Sequence, residues 1–363
     1  MVVLFLGFIV SAVVTFFVIR SGRTHAHFSA DADMSGPQKF HATPVPRVGG
    51  VGIVIGLAAA LTAARLLRGD GMALGLMLLG TAAPAFLAGF AEDLTKTQSP
   101  RRRLFFTTVS AAAAAWILDA VITRTDIPGV DWLVTFAVPA WLLTIFAVAG
   151  VANSINIIDG FNGLAAMCVV MMLGSIAYVA FQSQDPMIGL CALAGLGAVM
   201  GFFIWNFPAG LVFLGDGGAY FLGFYVGELS ILLLQRNPQV SPLCPLLMCI
   251  YPIFETVFSM YRRRFVRGRP IGMPDGVHLH SLIYRRLMRW AVGDRTAKVL
   301  TKRNSMTAPY LWLLCMMSVV PAMIFWNNSA VLGVFIVLFG ATYVFLYARI
   351  VRFKVPEWLI VRR

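Results

Sequence analysis

Long apolar blocks separated by short polar stretches make up almost the whole of this chain. A helix that crosses the hydrocarbon core of a bilayer needs about 20 mostly apolar residues. On that criterion the pattern predicts an all-α, polytopic membrane protein with about eleven transmembrane helices. The predicted spans are 2–20, 48–68, 72–91, 104–123, 131–150, 163–181, 187–205, 211–235, 241–261, 308–326 and 330–350.

The composition supports a membrane protein and removes other classes. Hydrophobic residues make up 59% of the 363 residues and charged residues only 12%, whereas soluble proteins carry about 25% charged residues. These values exclude a soluble, disordered, collagen-like or coiled-coil chain. We therefore expect one integral membrane domain over residues 1–363. The five cysteines lie in or beside apolar blocks and are expected to face the core or the lipid.

The basic residues predict the orientation of the chain. An odd number of spans puts the two termini on opposite sides, and all but four of the 29 Lys and Arg residues then fall on the side of the C-terminus. Because cytoplasmic loops are enriched in Lys and Arg, we expect a periplasmic N-terminus and a cytoplasmic C-terminus in the inner membrane. The net charge of +13 favours anionic lipid headgroups and a phosphorylated substrate as partners, rather than nucleic acid. The cytoplasmic loops expected to form the active site are 21–47, 92–103, 151–162, 206–218 and 262–307.

The first polar stretch joins two acidic residues, Glu92 and Asp93, to Lys96 at the cytoplasmic end of the third predicted span. Adjacent carboxylates repel each other unless a cation lies nearby. Lys96 and the three arginines at 101–103 supply positive charge, and a divalent ion could supply more. The alternative is a solvated helix end whose basic residues anchor it at the membrane.

The second polar stretch carries three amides and a carboxylate between two apolar spans, with almost no basic neighbours. Its residues are Asn153, Asn156, Asp159 and Asn162. Asn and Asp cap helix N-termini, so a helix cap is one interpretation. Four such residues exceed what one cap needs, and amides also bind a nucleobase edge or a hydrated metal ion. We therefore favour a binding function for this stretch.

The third stretch is a lone acid among three glycines, Gly215-Asp216-Gly217-Gly218, which opens the eighth predicted span. Glycine lets the backbone approach a phosphate closely. Carboxylate oxygens suit Mg²⁺, which keeps several waters and is completed by substrate phosphates. A glycine-rich turn that serves packing alone is the alternative.

The fourth stretch lies in the longest cytoplasmic loop and carries Asp275, His278, His280 and Ser281 among arginines. Zinc is one alternative for the two histidines, but no cysteine lies near and no third ligand has suitable spacing. Histidines and arginines around a pyrophosphate fit better, because they donate hydrogen bonds to developing negative charge.

Four further charged residues lie outside these stretches. Lys39 and Arg47 belong to a proline-containing loop before the second span, which either anchors on lipid or faces a phosphate. Glu228 and Glu255 lie within predicted spans. We expect both to be buried acids with hydrogen-bond partners, and we assign them no role in a site.

Together, and in this order along the chain, the four stretches resemble the polyprenyl-phosphate N-acetylhexosamine-1-phosphate transferases of bacterial glycosyltransferase family 4. The family pattern D-D-x-x-K is similar to residues 92–96, and N-x-x-N-x-x-D-G-x-[DN]-G matches residues 153–163. F-[LM]-G-D-x-G matches residues 213–218, and H-x-H-H matches residues 278–281 except at its last position. The superfamily includes initiators of O-antigen and enterobacterial common antigen chains, and the phospho-MurNAc-pentapeptide translocase.

The resemblance implies an activity and a set of site residues. The activity is Mg²⁺-dependent (or Mn²⁺-dependent) transfer of a sugar 1-phosphate, GlcNAc or a related amino sugar, from a UDP-sugar to undecaprenyl phosphate at the cytoplasmic face. By the resemblance, Asp216 and Asn156 hold the metal, and Asn162 contacts the uracil. The histidines and nearby arginines hold the pyrophosphate. The expected catalytic residues are Asp93, Asp159, Asp216, His278 and His280, and the expected substrate-binding residues are Lys39, Arg47, Glu92, Lys96, Asn153, Asn162, Asp275 and Ser281.

Two residues depart from the family pattern. Glu92 replaces an aspartate, so one side chain of the acidic pair is longer by a methylene group, which argues against direct ligation of the metal by Glu92. Ser281 replaces a third histidine, so at least one pyrophosphate contact differs. We interpret this as a sugar specificity of the type that initiates lipopolysaccharide O-antigen chains. The donor of the peptidoglycan translocase is one alternative, and a transporter of an anionic solute is the alternative from another class. A homodimer is left open.

Overall fold

A computed structural model describes residues 1–22, 45–69, 73–268, 276–288 and 297–352. Within these ranges the secondary structure is helical, which confirms the predicted all-α class. The helices are α1 (Val2–Gly22), α2 (Gly50–Arg68), α3 (Ala73–Thr81), α4 (Ala83–Thr95), α5 (Pro100–Ile117), α6 (Val130–Val134), α7 (Ala137–Ile158), α8 (Leu164–Gln182), α9 (Pro186–Asn206), α10 (Gly215–Arg236), α11 (Leu243–Met248), α12 (Ile250–Tyr261), α13 (Leu279–Leu282), α14 (Ala297–Ser305), α15 (Ala308–Ile324) and α16 (Ser329–Val351). Two π-helical turns, Arg262–Val266 and Ile283–Met288, follow α12 and α13.

Several helices are suited to crossing a membrane. In the described part of the chain, 8 helical segments are long and apolar enough, or up to 9 if the pair α3 and α4, bent by 44°, forms one span. The predicted span 104–123 coincides with most of α5, which begins with three arginines. The predicted span 241–261 is divided between α11 and α12, each too short to cross alone. The polytopic membrane class is confirmed, and the number eleven stays a prediction.

Prolines explain where two of the predicted spans are broken. Pro84 lies in the first turn of α4, and Pro252 lies in the first turn of α12. A proline has no N–H to donate to the preceding turn, so it fits the first turn of a helix without loss and removes a hydrogen bond when it lies in the interior. Each proline therefore favours a new helix over continuation of the previous one.

The helices run between two ends of the bundle. We call the end where Asn156, Asp216 and His278 line a common cavity the site end. The indole N–H of Trp205, next to the last residue of α9, donates to Ala12 of α1 at 3.0 Å. The hydroxyl of Tyr347 in α16 donates to Val277 at 3.2 Å. Along α9, Gly197 lies against Leu4 and Gly201 against Phe8, so α1 runs parallel to α9. Both α1 and α16 therefore run towards the site end, and α1 begins at the opposite end from where α16 finishes.

Helix α10 forms the centre of the bundle and is buried along most of its length. Small residues let its neighbours come close: a Cβ added at Gly223 would meet Ala152 of α7, and one added at Gly89 of α4 would meet Gly217. Close approach at small residues is how helices associate in membranes, where no hydrophobic force drives them together. This packing holds the first turn of α10, which carries Asp216, in the middle of the site end.

The two acids within the predicted spans differ in their partners. Glu255 of α12 is buried and accepts hydrogen bonds from three groups, as expected. Glu228 of α10 is also fully buried, but neither of its oxygens has a hydrogen-bond partner within the described residues. The expectation of a partner was therefore wrong for Glu228. Polar partners come only from neighbouring helices at the same level, and the sequence of one helix does not reveal them.

Candidate active site

The polar stretches meet around a cavity of about 380 Å³ at the site end. This volume lies within the range of pockets that hold small ligands. The walls come from the end of α4, the starts of α5 and α10, the end of α7 and the segment that begins at His278. The sequence-predicted residues that line it are Arg47, Glu92, Asn156, Asp159, Asn162, Asp216, His278, His280 and Ser281.

Asp93 lies behind this cavity and caps α10 from a neighbouring helix. Its Oδ1 accepts the N–H of Asp216 at 2.8 Å and its Oδ2 accepts the N–H of Gly217 at 2.9 Å. The first N–H groups of a helix have no partner within the helix, so this carboxylate satisfies two of them. Only 2% of Asp93 is exposed. Asp93 thus fixes the start of α10 and, with it, the position of the Asp216 side chain.

Glycine is required where α10 begins. Gly215 has φ +77°, a conformation that other residues rarely adopt. A Cβ at this position would meet the carbonyl oxygen of Arg47 and the carboxylate of Asp93. Backbone hydrogen bonds pair the two segments, with the N–H of Gly49 donating to Phe213 at 3.0 Å. The glycine therefore lets the loop with Arg47 lie directly against the start of α10.

The carboxylate of Asp216 is surrounded by nitrogen donors. Its Oδ1 accepts the amide N–H of Asn156 at 3.0 Å and lies 3.8 Å from a guanidinium nitrogen of Arg47. Its Oδ2 pairs with Arg103 at the start of α5. The site prediction from sequence missed Arg103, although the arginine run at 101–103 was a signal of positive charge beside the acidic pair.

The residues around Asp216 fit a divalent cation that substrate completes. Among the described residues no group of three His, Cys, Asp or Glu side chains could hold a metal ion alone. Mg²⁺, however, is usually bound by one or two carboxylates together with waters and substrate phosphates. The hydrogen bond of 3.0 Å from Nδ2 of Asn156 to Oδ1 of Asp216 brings these two side chains together. With its amide turned so that Oδ1 faces the ion, Asn156 would supply a second oxygen ligand.

Asp159 borders the cavity one residue beyond the end of α7. Burial raises the pKa of its carboxyl group to about 7, although Arg47 opposes the shift. A group with this pKa exchanges protons readily near neutral pH, which is a property of general acids and bases. Asp159 is therefore suited to accept or release a proton in the cavity.

Asn162 is held by a segment that follows much later in the chain. Its backbone N–H donates to the side chain of Asn304 at 2.8 Å, and its amide donates to Ser305 at 3.1 Å. Its Oδ1 has no partner within the described residues, although Asn162 is 2% exposed. Asn162 lines the cavity, but this oxygen is itself buried, so the expected contact to a uracil stays a prediction.

Asn206, at the end of α9, lines the cavity and was not predicted as a site residue. Its Oδ1 accepts the N–H of Gly163 at 2.6 Å and its Nδ2 donates to Val212 at 2.7 Å. It thereby ties the start of α8 to the loop that leads into α10. A lone amide at the end of an apolar span has no local pattern that would have identified it.

The two predicted histidines stack on each other at the cavity. Their ring centroids are 5.1 Å apart with nearly parallel planes. Nδ1 of His278 lies 2.9 Å from Oε1 of Glu255, a residue that sequence analysis assigned no role. Ser281 is almost completely buried, and its Oγ has no hydrogen-bond partner among the described residues.

Other predicted site residues have different surroundings. Lys96 is exposed, ends α4 with φ 56° and is not among the residues that line the cavity. Asn153 is partly buried on α7, one turn before Asn156, and also does not line it. Glu92 does line it, while its Oε2 accepts the N–H of Gln98 at 2.6 Å. Two predicted residues, Lys39 and Asp275, lie outside the described residues.

Comparisons with known proteins agree with the motif pattern. Residues 75–234 match the model of glycosyl transferase family 4. A probable undecaprenyl-phosphate N-acetylglucosaminyl 1-phosphate transferase of Bacillus subtilis is 28% identical over 81% of this chain and 80% of that protein. An undecaprenyl-phosphate alpha-N-acetylglucosaminyl 1-phosphate transferase of Thermotoga maritima is 29% identical over 77% of this chain and 81% of that protein. A phospho-N-acetylmuramoyl-pentapeptide-transferase of Frankia casuarinae is 28% identical over 61% of this chain and 73% of that protein.

These relatives belong to the two branches that the motifs indicated. The family match covers the acidic pair, the amide stretch and the glycine-flanked Asp216, which are the parts of the site that lie within residues 75–234. The resemblance is therefore confirmed: residues 75–234 match glycosyl transferase family 4, and the relatives carry the names of transferases that the motifs indicated.

Proposed function

We propose that this protein transfers a sugar 1-phosphate from a UDP-linked amino sugar to undecaprenyl phosphate, giving a polyprenyl-pyrophosphate-linked sugar and UMP. The observation that carries the proposal is the convergence of Asp159, Asp216 and His278 on one cavity, with Asp93 fixing the start of α10 behind it. Two relatives that match about four fifths of this chain are named as transferases of this type.

The proposed reaction forms one P–O bond and breaks another. An oxygen of the lipid phosphate attacks the phosphorus that carries the sugar, and UMP leaves with the electron pair of the cleaved bond. The sugar C–O bond is not touched, so the anomeric configuration is retained. Because the second pKa of a phosphate monoester is about 6, the acceptor is largely dianionic at neutral pH and needs no strong base. Asp159 would accept the proton from the remaining monoanion.

Charge repulsion is the main obstacle, since an anionic phosphate approaches an anionic pyrophosphate. The side chains of Asp216 and Asn156 would hold Mg²⁺, which supplies charge neutralisation on the phosphoryl oxygens when bound. Arg47 and Arg103, which contact Asp216 in this structure, would then turn towards phosphate. The stacked histidines would donate hydrogen bonds to the pyrophosphate.

We also propose eleven crossings of the inner membrane, a periplasmic N-terminus and a cytoplasmic active site. The distribution of Lys and Arg supports this orientation. The acidic residues of the first three stretches gather at the same end of the bundle. A transporter would instead place its charged groups near the midplane of the bilayer.

For the donor we propose UDP-GlcNAc or a related UDP-amino sugar, used in the first membrane step of an envelope glycan such as lipopolysaccharide O-antigen. Ser281, where the family pattern has a third histidine, supports a donor other than the peptidoglycan precursor. The two relatives that cover most of this chain carry N-acetylglucosaminyl in their names.

Purified protein mixed with UDP-GlcNAc, undecaprenyl phosphate and Mg²⁺ tests the proposal by the release of UMP. UDP-QuiNAc, UDP-FucNAc and UDP-MurNAc-pentapeptide in parallel reactions identify the donor. We expect UMP release with at least one amino sugar and only when lipid phosphate is present. Release from the pentapeptide donor alone would assign the chain to the translocase type, and no release from any donor would refute the transferase.

A further inference from the structure

Glu255 makes an unusual set of contacts for an acid within the apolar part of the bundle. Its Oε1 accepts the N–H of Leu279 at 3.1 Å and lies 2.9 Å from Nδ1 of His278. Its Oε2 accepts the hydroxyl proton of Tyr343 at 2.8 Å. Only 1% of Glu255 is exposed. The carboxylate therefore receives three hydrogen bonds while removed from solvent, an arrangement that suits its ionised form.

These contacts fix the role of each ring nitrogen of His278. Because the carboxylate of Glu255 already accepts from Leu279 and Tyr343, Nδ1 of His278 is the donor in their shared hydrogen bond. The second ring nitrogen, Nε2, is left for a ligand in the cavity that His278 lines. Phosphate oxygens only accept hydrogen bonds, so Nε2 must also carry a proton when it binds one.

We propose that Glu255 is a positioning residue that holds the His278 ring so that Nε2 donates to a phosphate oxygen of the substrates, with Tyr343 fixing the carboxylate. The inference rests on the proposed transferase function and adds to it a residue that lies outside the family motifs. In catalytic triads and in metal sites, a buried carboxylate likewise accepts a hydrogen bond from a functional histidine and fixes the orientation of its ring.

The charged surroundings of His278 support the need for a buried counter-ion. His280 stacks on it at 5.1 Å, and the buried Arg262 donates to Val277, the residue before it. On the cavity side lie Arg47 and Arg103, which are paired with Asp216, together with Asp159 and Glu92. Glu255 is the carboxylate that contacts the His278 ring directly.

Glu228 offers a matched comparison within the same molecule. It is likewise a buried glutamate in the helical bundle, but its oxygens have no hydrogen-bond partner among the described residues. Replacement of Glu228 by glutamine therefore measures how the rate of UMP release changes when a buried acid that has no contact with His278 is removed. Glu255→Gln keeps an amide oxygen that can accept from Nδ1 but removes the negative charge.

A double-mutant cycle on the full-length protein in detergent tests the inference. UMP release would be measured for wild type, Glu255→Gln, His278→Ala and the double variant, with kcat and KM for both substrates. Loss of an outer partner of a functional histidine typically costs 10–100-fold, so we expect kcat of Glu255→Gln to fall by about that factor with little change in KM. Glu228→Gln is expected to stay within about threefold of wild type.

The double variant gives the decisive result. If Glu255 acts through His278, the double variant is as active as His278→Ala within about threefold. Losses that multiply, or wild-type activity in Glu255→Gln, would overturn the inference while leaving the transferase in place. A wild-type protein that releases no UMP would overturn the proposed function instead.

Tyr343→Phe provides a second cycle should Glu255→Gln fail to fold. It removes one hydrogen bond from the carboxylate and keeps the ring in place. Because the carboxylate then loses one of the hydrogen bonds that hold it in place, we expect kcat to fall by about tenfold, and this loss to disappear in the His278→Ala background. A loss that persists in that background contradicts the inference.

Discussion

Single residues at the cavity act through the partners that tertiary contacts give them. Asp216 pairs with Arg103, which is 113 positions away in sequence, and Asn162 is held by Asn304, which is 142 positions away. The motifs identified Asp216 and Asn162 because each lies in a short polar stretch. Arg103, Asn206 and Glu255 were not assigned to the site. Asn206 and Glu255 are single polar residues in apolar segments, and the run of arginines at 101–103 does not show which of its members contacts Asp216.

The proposed metal site makes Asp216 the most sensitive residue. Asp216→Asn keeps the size of the side chain but removes the charge that a divalent cation needs. We expect UMP release at saturating Mg²⁺ to fall by at least about 100-fold, since a bound metal supplies several kcal/mol of charge stabilisation. Membrane insertion and yield should match wild type, measured by detergent extraction and size-exclusion chromatography. Full activity in this variant would refute the metal assignment.

Ser281 is the residue expected to affect the choice of donor. Its buried hydroxyl has no partner among the described residues and lies at the cavity wall. Ser281→His restores the family pattern and adds a donor for the pyrophosphate or the sugar. We expect the ratio of kcat/KM between two UDP-amino sugars to change by about tenfold, with a smaller change in maximal rate. An unchanged ratio would show that Ser281 does not contact the donor.

At the scale of elements, the start of α10 organises the site. A positive φ at Gly215, two N–H groups capped by Asp93 and close packing at Gly217 combine to place Asp216 at the cavity. The sequence predicted a helix opening with a glycine-rich turn here. The sequence did not reveal that Asp93, 123 positions earlier, caps that helix. A cap that comes from another helix cannot be recognised from the residues around the helix start.

Removal of the cap should therefore lower stability as well as activity. In Asp93→Asn the single side-chain oxygen can accept only one of the two hydrogen bonds from Asp216 and Gly217. The new NH2 group faces the other backbone N–H, which is then left without an acceptor. We expect a loss of about 1–3 kcal/mol in the free energy of unfolding, the cost of leaving a buried donor unsatisfied. Thermal unfolding in detergent measures it, with Thr97→Ser at an exposed site in the neighbouring turn as the control. Equal melting temperatures for the two variants would contradict the capping role.

At the scale of the whole molecule, the two ends of the bundle differ in their chemistry. The site end collects the cavity residues, including Asp159, Asp216 and the stacked histidines. At the opposite end Asp185 and Arg236 form an ion pair at 2.6 Å. This separation agrees with the proposed transferase, whose nucleotide-sugar substrate would arrive at one membrane face, whereas a transporter needs its site to be reached from both faces.

Cysteine labelling can test the proposed orientation directly. The five native cysteines are all buried, so a single exposed cysteine is labelled over a low background. Gln184→Cys lies in the turn between α8 and α9, and Thr97→Cys lies in the turn between α4 and α5; both positions are exposed. We expect a membrane-impermeant maleimide to label the first in intact cells and the second only after permeabilisation. The reverse pattern would show that the orientation is wrong.

The sequence alone determined the class of the protein and the identity of its polar stretches. Apolar blocks of membrane-spanning length and the scarcity of charge leave a helical membrane protein as the outcome, and motifs close together in sequence are recognisable without a structure. The tertiary structure decided which side chains meet: Asp93 with the start of α10, Arg103 with Asp216, and Glu255 with His278. Those contacts depend on how helices far apart in sequence pack against each other, and the packing is set by small residues and shape along whole helix faces rather than by any local pattern.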